Sequence, residues 1–461
     1  MKYKEDTKVV LLNPPGKRLY VRDYYCSKVS KSNYLFHPID LLMLSGRLIP
    51  RYETHLIDAI ADGLNERSCM QRIKAIAPDF VISLIGAVSL AEDLPFLQAL
   101  KTPSLQIIVS GDAPLEAPRA WLDAHGFIDA VLLDFTSEGI VDYIDGRYDS
   151  VRGIVHRHGS HTATARAFNE EFNIPTPGHQ LFRSTNYRFP FVRHGAFATV
   201  LTDYGCPFKC SFCVMSGIGY RYRAVESVME ELLFLRTIGK REVFFIDQTF
   251  GVNKRRAMQL CEEMKQAGLG LGWVCYSRAD VIDEQLLGAM KAAGCHTIIL
   301  GVESASDEVL RAYRKGYTVD QIRHAFALCR RHRVRTVATV IIGLPQESRQ
   351  SIAATVEFLK ELDCDFASFN VAVPRMSTPL RKQVIAEGLI DEHLTVMDQS
   401  GSSVVMPTRH LSREQLLALK SSAIRRFYLR PSYLYKRLTG IKTLYELKEQ
   451  VSEGLALLLN T

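Results

Sequence analysis

The sequence predicts an α/β protein. A doubly wound parallel-sheet domain over residues 1–150 is followed by a connection over 151–195, a partial (β/α)6 barrel over 196–375 and a mostly helical C-terminal extension over 376–461. Three observations predict this. Short apolar runs bounded by Gly, Pro, Asn or Asp alternate with stretches whose apolar residues recur every three or four positions, the pattern of strands alternating with helices. The alternation runs in two series, separated by a stretch without periodicity. At 461 residues and 47% hydrophobic composition, the chain can bury two or three cores.

In the first series the strands are Lys8–Asn13, Thr54–Asp58, Asp79–Ser83, Leu105–Ser110 and Asp129–Leu133, with helical spacing over Asp40–Leu48 and Ser68–Ile76. Repeated βαβ units imply a parallel sheet, and such sheets bind ligands at the carboxyl ends of their strands. The turn-forming residues fall there, as Asn13-Pro-Pro-Gly16, Asp58–Gly63, Gly86–Ser89 and Gly111–Pro114. No GxGxxG follows the first strand, which argues against a dinucleotide.

Residues 151–195 carry Gly153, Gly159, Pro175, Pro177 and Gly178 and read as an interdomain connection with a hairpin around Val155–His161. Its histidines, His156, His158 and His161, read as solvated hairpin positions, since no nearby acid or thiol completes a metal set.

The second series has six strands: Phe197–Asp203, Val243–Asp247, Trp273–Arg278, Thr297–Glu303, Thr336–Gly343 and Ala367–Val373. Helices Ala224–Thr237, Lys254–Ala267, Glu284–Ala293, Val319–Arg331 and Ser348–Leu362 separate them, which gives the open six-stranded barrel. Beyond Pro379, the run Arg425-Arg-Phe-Tyr-Leu-Arg-Pro-Ser-Tyr-Leu-Tyr-Lys-Arg437 interleaves bases with aromatics. It reads as an amphipathic helix packed on the barrel, with contact to an anionic lipid, a phosphate-bearing substrate or a nucleic acid as the alternative.

The net charge of +7 is mild and the bases are spread, which disfavours nucleic acid; an anionic or lipid-like small molecule, or peripheral membrane contact through the basic tail, fits as well. No long apolar run suited to a membrane span occurs, and Met1–Asp6 leads straight into a strand, so a cytoplasmic protein is expected. Ten cysteines then point to thiols and metal rather than disulfides. Cys26, Cys69, Cys261, Cys275, Cys295, Cys329 and Cys364 share no spacing, and most read as core thiols.

Cys206, Cys210 and Cys213 differ, because Cys206-Pro-Phe-Lys-Cys-Ser-Phe-Cys213 spaces three thiols so that they can converge on one face of a loop past a strand's carboxyl end. Three thiolates can hold three corners of a [4Fe–4S] cluster and leave the fourth iron open. Buried thiols or a zinc loop are the other readings, although zinc wants a fourth ligand and none follows at a suitable spacing.

CxxxCxxC after a strand, with aromatic Phe212 before the third thiol, resembles the radical S-adenosylmethionine (SAM) superfamily. The resemblance implies that Cys206, Cys210 and Cys213 ligate a [4Fe–4S] cluster whose open iron binds SAM, and that reductive cleavage gives a 5′-deoxyadenosyl radical. It places Phe212 beside the adenine. Phe244-Phe-Ile-Asp-Gln-Thr-Phe250 is similar to the family's Phe-x-Asp-Asp-x-Phe, with Gln248 in place of the second acid, and sets Asp247 near the amino group of SAM. Gly301-Val-Glu-Ser304, followed by Arg314-Lys-Gly-Tyr-Thr318, matches a segment whose glutamate, here Glu303, bonds the polar groups of SAM. Gly343 in Ile341-Ile-Gly-Leu-Pro345 falls on the adenine side, and Arg278 is a candidate for the SAM carboxylate. Turn, salt-bridge and strand-end roles are the alternatives for Asp247, Glu303, Arg278 and Gly343.

The first series resembles the Rossmann-like cobalamin-binding domain that precedes the barrel in a large subfamily. Asn13–Pro15, Pro78–Ser83 and Ser110-Gly111 are the counterparts, and Asn13, Ser83, Gly86 and Gly111 are the implied cobalamin-side residues. Two departures stand out: no DxHxxG is present to supply a histidine to cobalt, and the fifth turn reads Asp134-Phe-Thr-Ser-Glu138 rather than Gly-Glu-Gly-Glu. At the substrate side, Pro374-Arg-Met-Ser-Thr-Pro379 replaces Pro-Gly-Thr-Pro.

The expected activity is therefore radical C–H activation, modally methyl transfer to an unactivated carbon by way of cobalamin, with an electron donor such as flavodoxin or ferredoxin. Oxidation, cyclisation or rearrangement of a small molecule or lipid is the alternative. A tRNA methylthiotransferase calls for three clustered N-terminal cysteines, where this chain has only Cys26 and Cys69. A non-enzymatic corrinoid or metal carrier has no use for Asp247, Glu303 and the glycine turn together.

Overall fold

Four consecutive apolar side chains, Val9 to Leu12, are fully buried in β1 (Lys8–Asn13), which lies between two parallel neighbours and has no solvent face. The computed structural model describes residues 6–23, 27–115, 117–158, 168–394, 398, 404–441 and 443–459. They divide into two units, one of residues 1–30, 35–167 and 171–188 and one of 31–34, 168–170 and 189–461.

The first unit runs β1, β2 (Tyr20–Val21), β3 (Lys28–Val29), α1 (Ile39–Leu48), β4 (Glu53–Asp58), α2 (Glu66–Ile76), β5 (Phe80–Leu84), α3 (Leu90–Leu100), β6 (Gln106–Ser110), α4 (Pro118–Ala124), β7 (Ala130–Leu132), α5 (Gly139–Ile144) and β8 (Ile154–His156). Its sheet has the order β4-β1-β5-β6-β7-β8, parallel from β4 to β7, with β8 an antiparallel edge. The reversal at β1, between β4 and β5, is the doubly wound topology expected. The segment read as the start of a connecting hairpin is instead β8, and His156 is buried, with its ring 5.5 Å from that of Tyr148. His158 stacks on Tyr148, and His161 lies outside the described residues.

The second unit contains most of β9 (Phe168–Glu171), followed by β10 (Phe197–Val200), β11 (Asp203–Gly205), β12 (Tyr220–Tyr222), α6 (Val225–Thr237), β13 (Glu242–Phe245), α7 (Lys254–Gln266), β14 (Gly272–Ser277), α8 (Glu284–Ala292), β15 (Cys295–Glu303), α9 (Asp307–Ala312), α10 (Val319–Arg331), β16 (Arg335–Ile342), α11 (Arg349–Glu361), β17 (Phe366–Val371), α12 (Pro379–Ala386), α13 (Arg413–Tyr428), α14 (Pro431–Gly440) and α15 (Leu444–Leu459). Six parallel strands in the order β10-β13-β14-β15-β16-β17 make the (β/α)6 partial barrel. Side chains such as Trp273, Leu232, Leu260, Leu287 and Ile322 fill the layer between strands and helices.

Helix starts follow their caps: Thr318, Ser348 and Ser412 each open a capping box before α10, α11 and α13. Helix α13 buries Leu416, Ala423, Ile424 and Phe427 on the barrel, and Tyr428 Oη accepts from Ala367 N and donates to Ala367 O, so this part of the tail packs as expected. Among the described residues no helix is long and apolar enough to cross a membrane.

The expected strand Phe197–Asp203 is broken. β10 ends at Val200, and Asp203–Gly205 pairs antiparallel with β12 instead, which places the cysteine loop on a short hairpin beyond the barrel strand. The cause is Asp247, whose Oδ1 accepts from the backbone N–H groups of Thr202 and Asp203 and whose Oδ2 accepts from Thr202 Oγ1. Those two N–H groups bond to a carboxylate, and the chain leaves the sheet there.

Candidate active site

The cysteine loop is held at its start and in the middle. Cys206 N donates to Gly219 O at 2.7 Å, closing the base of the hairpin. Gly205 has φ +90°, and a Cβ there would lie 2.1 Å from Gly219 O, so this closure requires glycine. Ser211 N donates to Tyr313 O and Ser211 O accepts from Leu380 N, which anchors the loop to the end of α9 and the start of α12.

The three thiols are near enough to influence one another. Burial pushes the Cys213 thiol up to about 12, with the Cys210 and Cys206 thiols adding to the rise, and burial also raises Cys206. All three are free of disulfides. Among the described residues no three His, Cys, Asp or Glu side chains converge on one point as a single metal ion requires, whereas a cluster takes one thiolate per iron. The Oγ of Ser211, next to Cys210, is buried and makes no hydrogen bond among the described residues. The donor set thus fits a [4Fe–4S] cluster with a polar ligand beside it.

A cationic network faces the thiols. Arg278, just past β14, points Nη1 at Cys210 Sγ (3.6 Å), donates from Nε and Nη2 to Asp280 (2.9 Å each) and from Nη2 to Lys315 O (2.7 Å). Its guanidinium carbon lies 3.5 Å from the Phe208 ring centroid, a cation–π stack. Lys315 donates to Glu303 Oε1 at 2.6 Å, with its ammonium 5.6 Å from the Phe212 ring centroid. Burial lowers Lys315, but the Glu303 carboxylate together with Tyr317 and Cys210 outweighs it and holds the ammonium above its ordinary value. Tyr317 Oη donates to Gly301 O, and burial pushes this phenol up to about 12.

Glu303 has φ +62° at a register shift in the β15–β16 ladder. Positive φ at a non-glycine residue costs energy, and a bulge turns a side chain to a new direction. Gly301 makes room for it, because a Cβ there would lie 2.6 Å from Glu303 Oε1 and 2.8 Å from Lys315 Nζ.

Gly343 also needs glycine, with φ +93°. The N–H groups of Gly343 and Leu344 both donate to Glu347 Oε2, a carboxyl that burial pushes up to about 7. Phe212 packs on the apolar cluster that contains Leu344 and Leu380, against which Ile341 also packs.

Of the expected SAM-side residues, Arg278 lies against Cys210, Phe212 stands in the cysteine loop, Glu303 reaches the Phe212 ring through Lys315, and the Gly343 turn shares with Phe212 only the apolar cluster that contains Leu344. Asp247 is fully buried, and its hydrogen bonds go to the strand end below the loop. Lys315, Tyr317, Phe208, Asp280 and Glu347 were not singled out from the sequence. Phe208 stood inside the cysteine motif and Lys315 and Tyr317 inside Arg314–Thr318, so the motif bounds were the available signal.

In the first unit the implied cobalamin-side residues lie at or next to strand carboxyl ends. Asn13 Nδ2 donates to Asp58 Oδ1 (2.8 Å) and Asn13 Oδ1 accepts from Arg22 Nη1 (2.9 Å), which ties β1 to β4. Gly86 N donates to Asp93, itself ion-paired with Arg22 at 2.7 Å, and a Cβ on Gly86 would lie 2.8 Å from Ser27 Cβ. A Cβ on Gly111 would lie 1.8 Å from Ile85 O, so the β5 and β6 turns meet there. Ser83 Oγ donates to Leu84 O. Ser110 Oγ is fully buried and makes no hydrogen bond among the described residues, the kind of orphan that a polar group of a ligand satisfies.

A family model described as the Radical SAM superfamily matches residues 200–359. An uncharacterized methyltransferase of Pyrococcus horikoshii is 31% identical over 420 residues, covering 87% of this chain and 89% of that protein. The chain belongs to the radical SAM superfamily. This radical SAM protein is also 25% identical over 420 residues to the anaerobic magnesium-protoporphyrin IX monomethyl ester cyclase of Cereibacter sphaeroides, covering 85% of this chain and 67% of the cyclase. Its fold is similar to that of the radical SAM methyltransferase TsrM from Kitasatospora setae, solved with cobalamin and a [4Fe–4S] cluster bound. The TM-score is 0.69 at 16% identity over 98% of this chain and 99% of the other. The radical SAM family's cofactors are the [4Fe–4S] cluster and SAM.

Proposed function

We propose that this chain is a cobalamin-dependent radical SAM methyltransferase acting at an unactivated carbon of a small or lipid-like molecule. One observation carries the reading: nearly the whole chain is similar to a protein named as a methyltransferase. The fold shared with cobalamin-bound TsrM supports it. In this reading the first unit, with β8 of the expected connection completing its sheet, binds the corrinoid, residues 196–375 are the catalytic barrel and 376–461 extend the barrel.

Cys206, Cys210 and Cys213 hold the cluster, with the Arg278 guanidinium offsetting negative charge beside Cys210. Phe212 and the Gly343 turn receive the adenine. Glu303 accepts from the polar groups of SAM through the oxygen that Lys315 leaves, and Arg278 faces the carboxylate. Asp247 acts at one remove, by fixing the hinge at Thr202 and Asp203 below the loop. Asn13, Ser83, Gly86 and Gly111 shape the corrinoid edge, with the Ser110 hydroxyl as a donor into it. Bound in these places, the cluster and SAM supply a radical able to break an unactivated C–H bond, and cobalamin supplies a methyl carrier. A donor of the flavodoxin or ferredoxin kind delivers the electron.

The similarity to the cyclase favours a second reading, radical oxidation and ring closure without methyl transfer. Both readings can use a corrinoid, so transfer of the methyl group of labelled SAM to product separates them, while anaerobic purification with supplied hydroxocobalamin, followed by a spectrum and iron, sulfide and cobalt counts, tests the cofactors. The account expects about four iron and four sulfide per chain together with cobalt. Iron and sulfide without cobalt would remove the corrinoid and leave the radical chemistry alone.

A further inference from the structure

Over residues 444–454, helix α15 is inverted. Its glutamates Glu446, Glu449 and Glu453 are buried, and Glu446 pairs with Arg335 at 2.8 Å, while Leu444, Leu447 and Val451, spaced three and four apart on one helix face, point to solvent. Leu444 is 85% exposed and Val451 54%. Helix α14 does the same: Tyr435 is 73% exposed and Leu438 71%, with Leu434 beside them. Arg437 Nε donates to Gln450 Oε1, which ties the two helices together.

The arginines of this region, in which the sequence suggests a cationic surface, turn inward instead: Arg430 stacks on Phe427 and Arg437 lies over Phe366, while Lys436 pairs at the surface with Asp363. Among the described residues of 431–454, all three acids are buried and the one exposed charge is Lys448. Among the described side chains of 431–454 the outward surface is thus leucine, valine, tyrosine, proline and small hydroxyl residues, with Lys448 exposed, Lys436 partly so, and no carboxylate.

Large apolar side chains exposed together along a water-facing helix mark an interaction surface. A helix of 16 residues is roughly 24 Å long, short of the ~20 residues a span needs but suited to lying in a headgroup layer. The lack of an outward carboxylate among the described side chains of these two helices, the exposed Lys448 and the net charge of +7 select a negatively charged surface.

We propose that α14 and α15 dock this protein on an anionic phospholipid bilayer, with Leu434, Tyr435, Leu438, Leu444, Leu447 and Val451 entering the interface and Lys448 at the headgroups. This stands independently of the chemistry in the barrel.

The test is flotation of the full-length protein with phosphatidylglycerol-containing vesicles and with pure phosphatidylcholine vesicles, alongside light scattering without lipid. The expected result is flotation with the anionic vesicles that weakens with salt. Leu438→Asp and Leu444→Asp are each expected to weaken partitioning about tenfold or more, with unchanged melting because both positions are exposed. Lys448→Glu should reduce binding and flatten its salt dependence. Protein left in the soluble fraction with both vesicle types overturns the proposal. So does a dimer in lipid-free solution that Leu438→Asp or Leu444→Asp dissociates, since a second copy then covers the face.

Discussion

Arg278 stacks on Phe208 with its guanidinium carbon 3.5 Å from the ring centroid and turns Nη1 toward Cys210 Sγ, 3.6 Å away. Both partners belong to the same loop, so one side chain from β14's end sets the position of the middle thiol and the charge beside it. Lysine cannot reproduce the fork or the stack. Arg278→Lys is therefore expected to assemble less cluster, read as iron per chain and as a changed electron paramagnetic resonance spectrum of the reduced protein. Arg278→Ala also strands Asp280, and should destabilise by about 2–4 kcal/mol in urea unfolding.

Asp247 makes three hydrogen bonds to Thr202 and Asp203. Asparagine has one acceptor oxygen where these donors need two, so Asp247→Asn should cost about 2–4 kcal/mol and lower iron content by loosening the hinge under Cys206. Normal stability and iron with only a raised KM for SAM would instead make Asp247 a direct SAM contact.

Lys315 and Glu303 form a pair in which both side chains are about nine-tenths buried. Removing one partner leaves a buried charge, so Lys315→Met and Glu303→Gln should each destabilise by roughly 3 kcal/mol, while the double variant loses much less than the sum. A double-mutant cycle in urea with no coupling would show that the pair does not hold the β15 bulge.

Glu347 gives a pH signature. Its carboxyl sits at about 7 in the folded protein, raised by burial from 4.5. Between these values the folded chain binds the proton and the unfolded chain does not, so stability is full below about 4.5 and falls as pH rises toward 7. The loss is on the order of 3 kcal/mol. Glu347→Gln should remove that slope, seen as a smaller difference between melts at about pH 5 and about pH 8.

Most element positions were legible from periodicity and caps; Val319–Arg331, for example, is helix α10 at the same residues because Thr318 and Gln321 cap it reciprocally. The break after Val200 was not legible. Phe197–Asp203 has the residues of one buried strand, and only a carboxylate 45 positions later, at Asp247, ends it. The left-handed backbone of Glu303 was hidden for the same reason: the empty space at Gly301 and the Lys315 ammonium become visible only when three segments meet. In the first unit, Asn13 and Gly86 were found by position, but their partners Asp58, Arg22 and Asp93 lie far from them in sequence or sit in a segment without a motif.

The central claim is that the loop from Cys206 to Cys213 holds a cluster that splits SAM. The direct measurement is 5′-deoxyadenosine formed from SAM by the anaerobically reconstituted protein with a strong reductant, compared with Cys210→Ala prepared in the same way. The account predicts 5′-deoxyadenosine from the unaltered chain and none above background from Cys210→Ala; equal formation by both would contradict it.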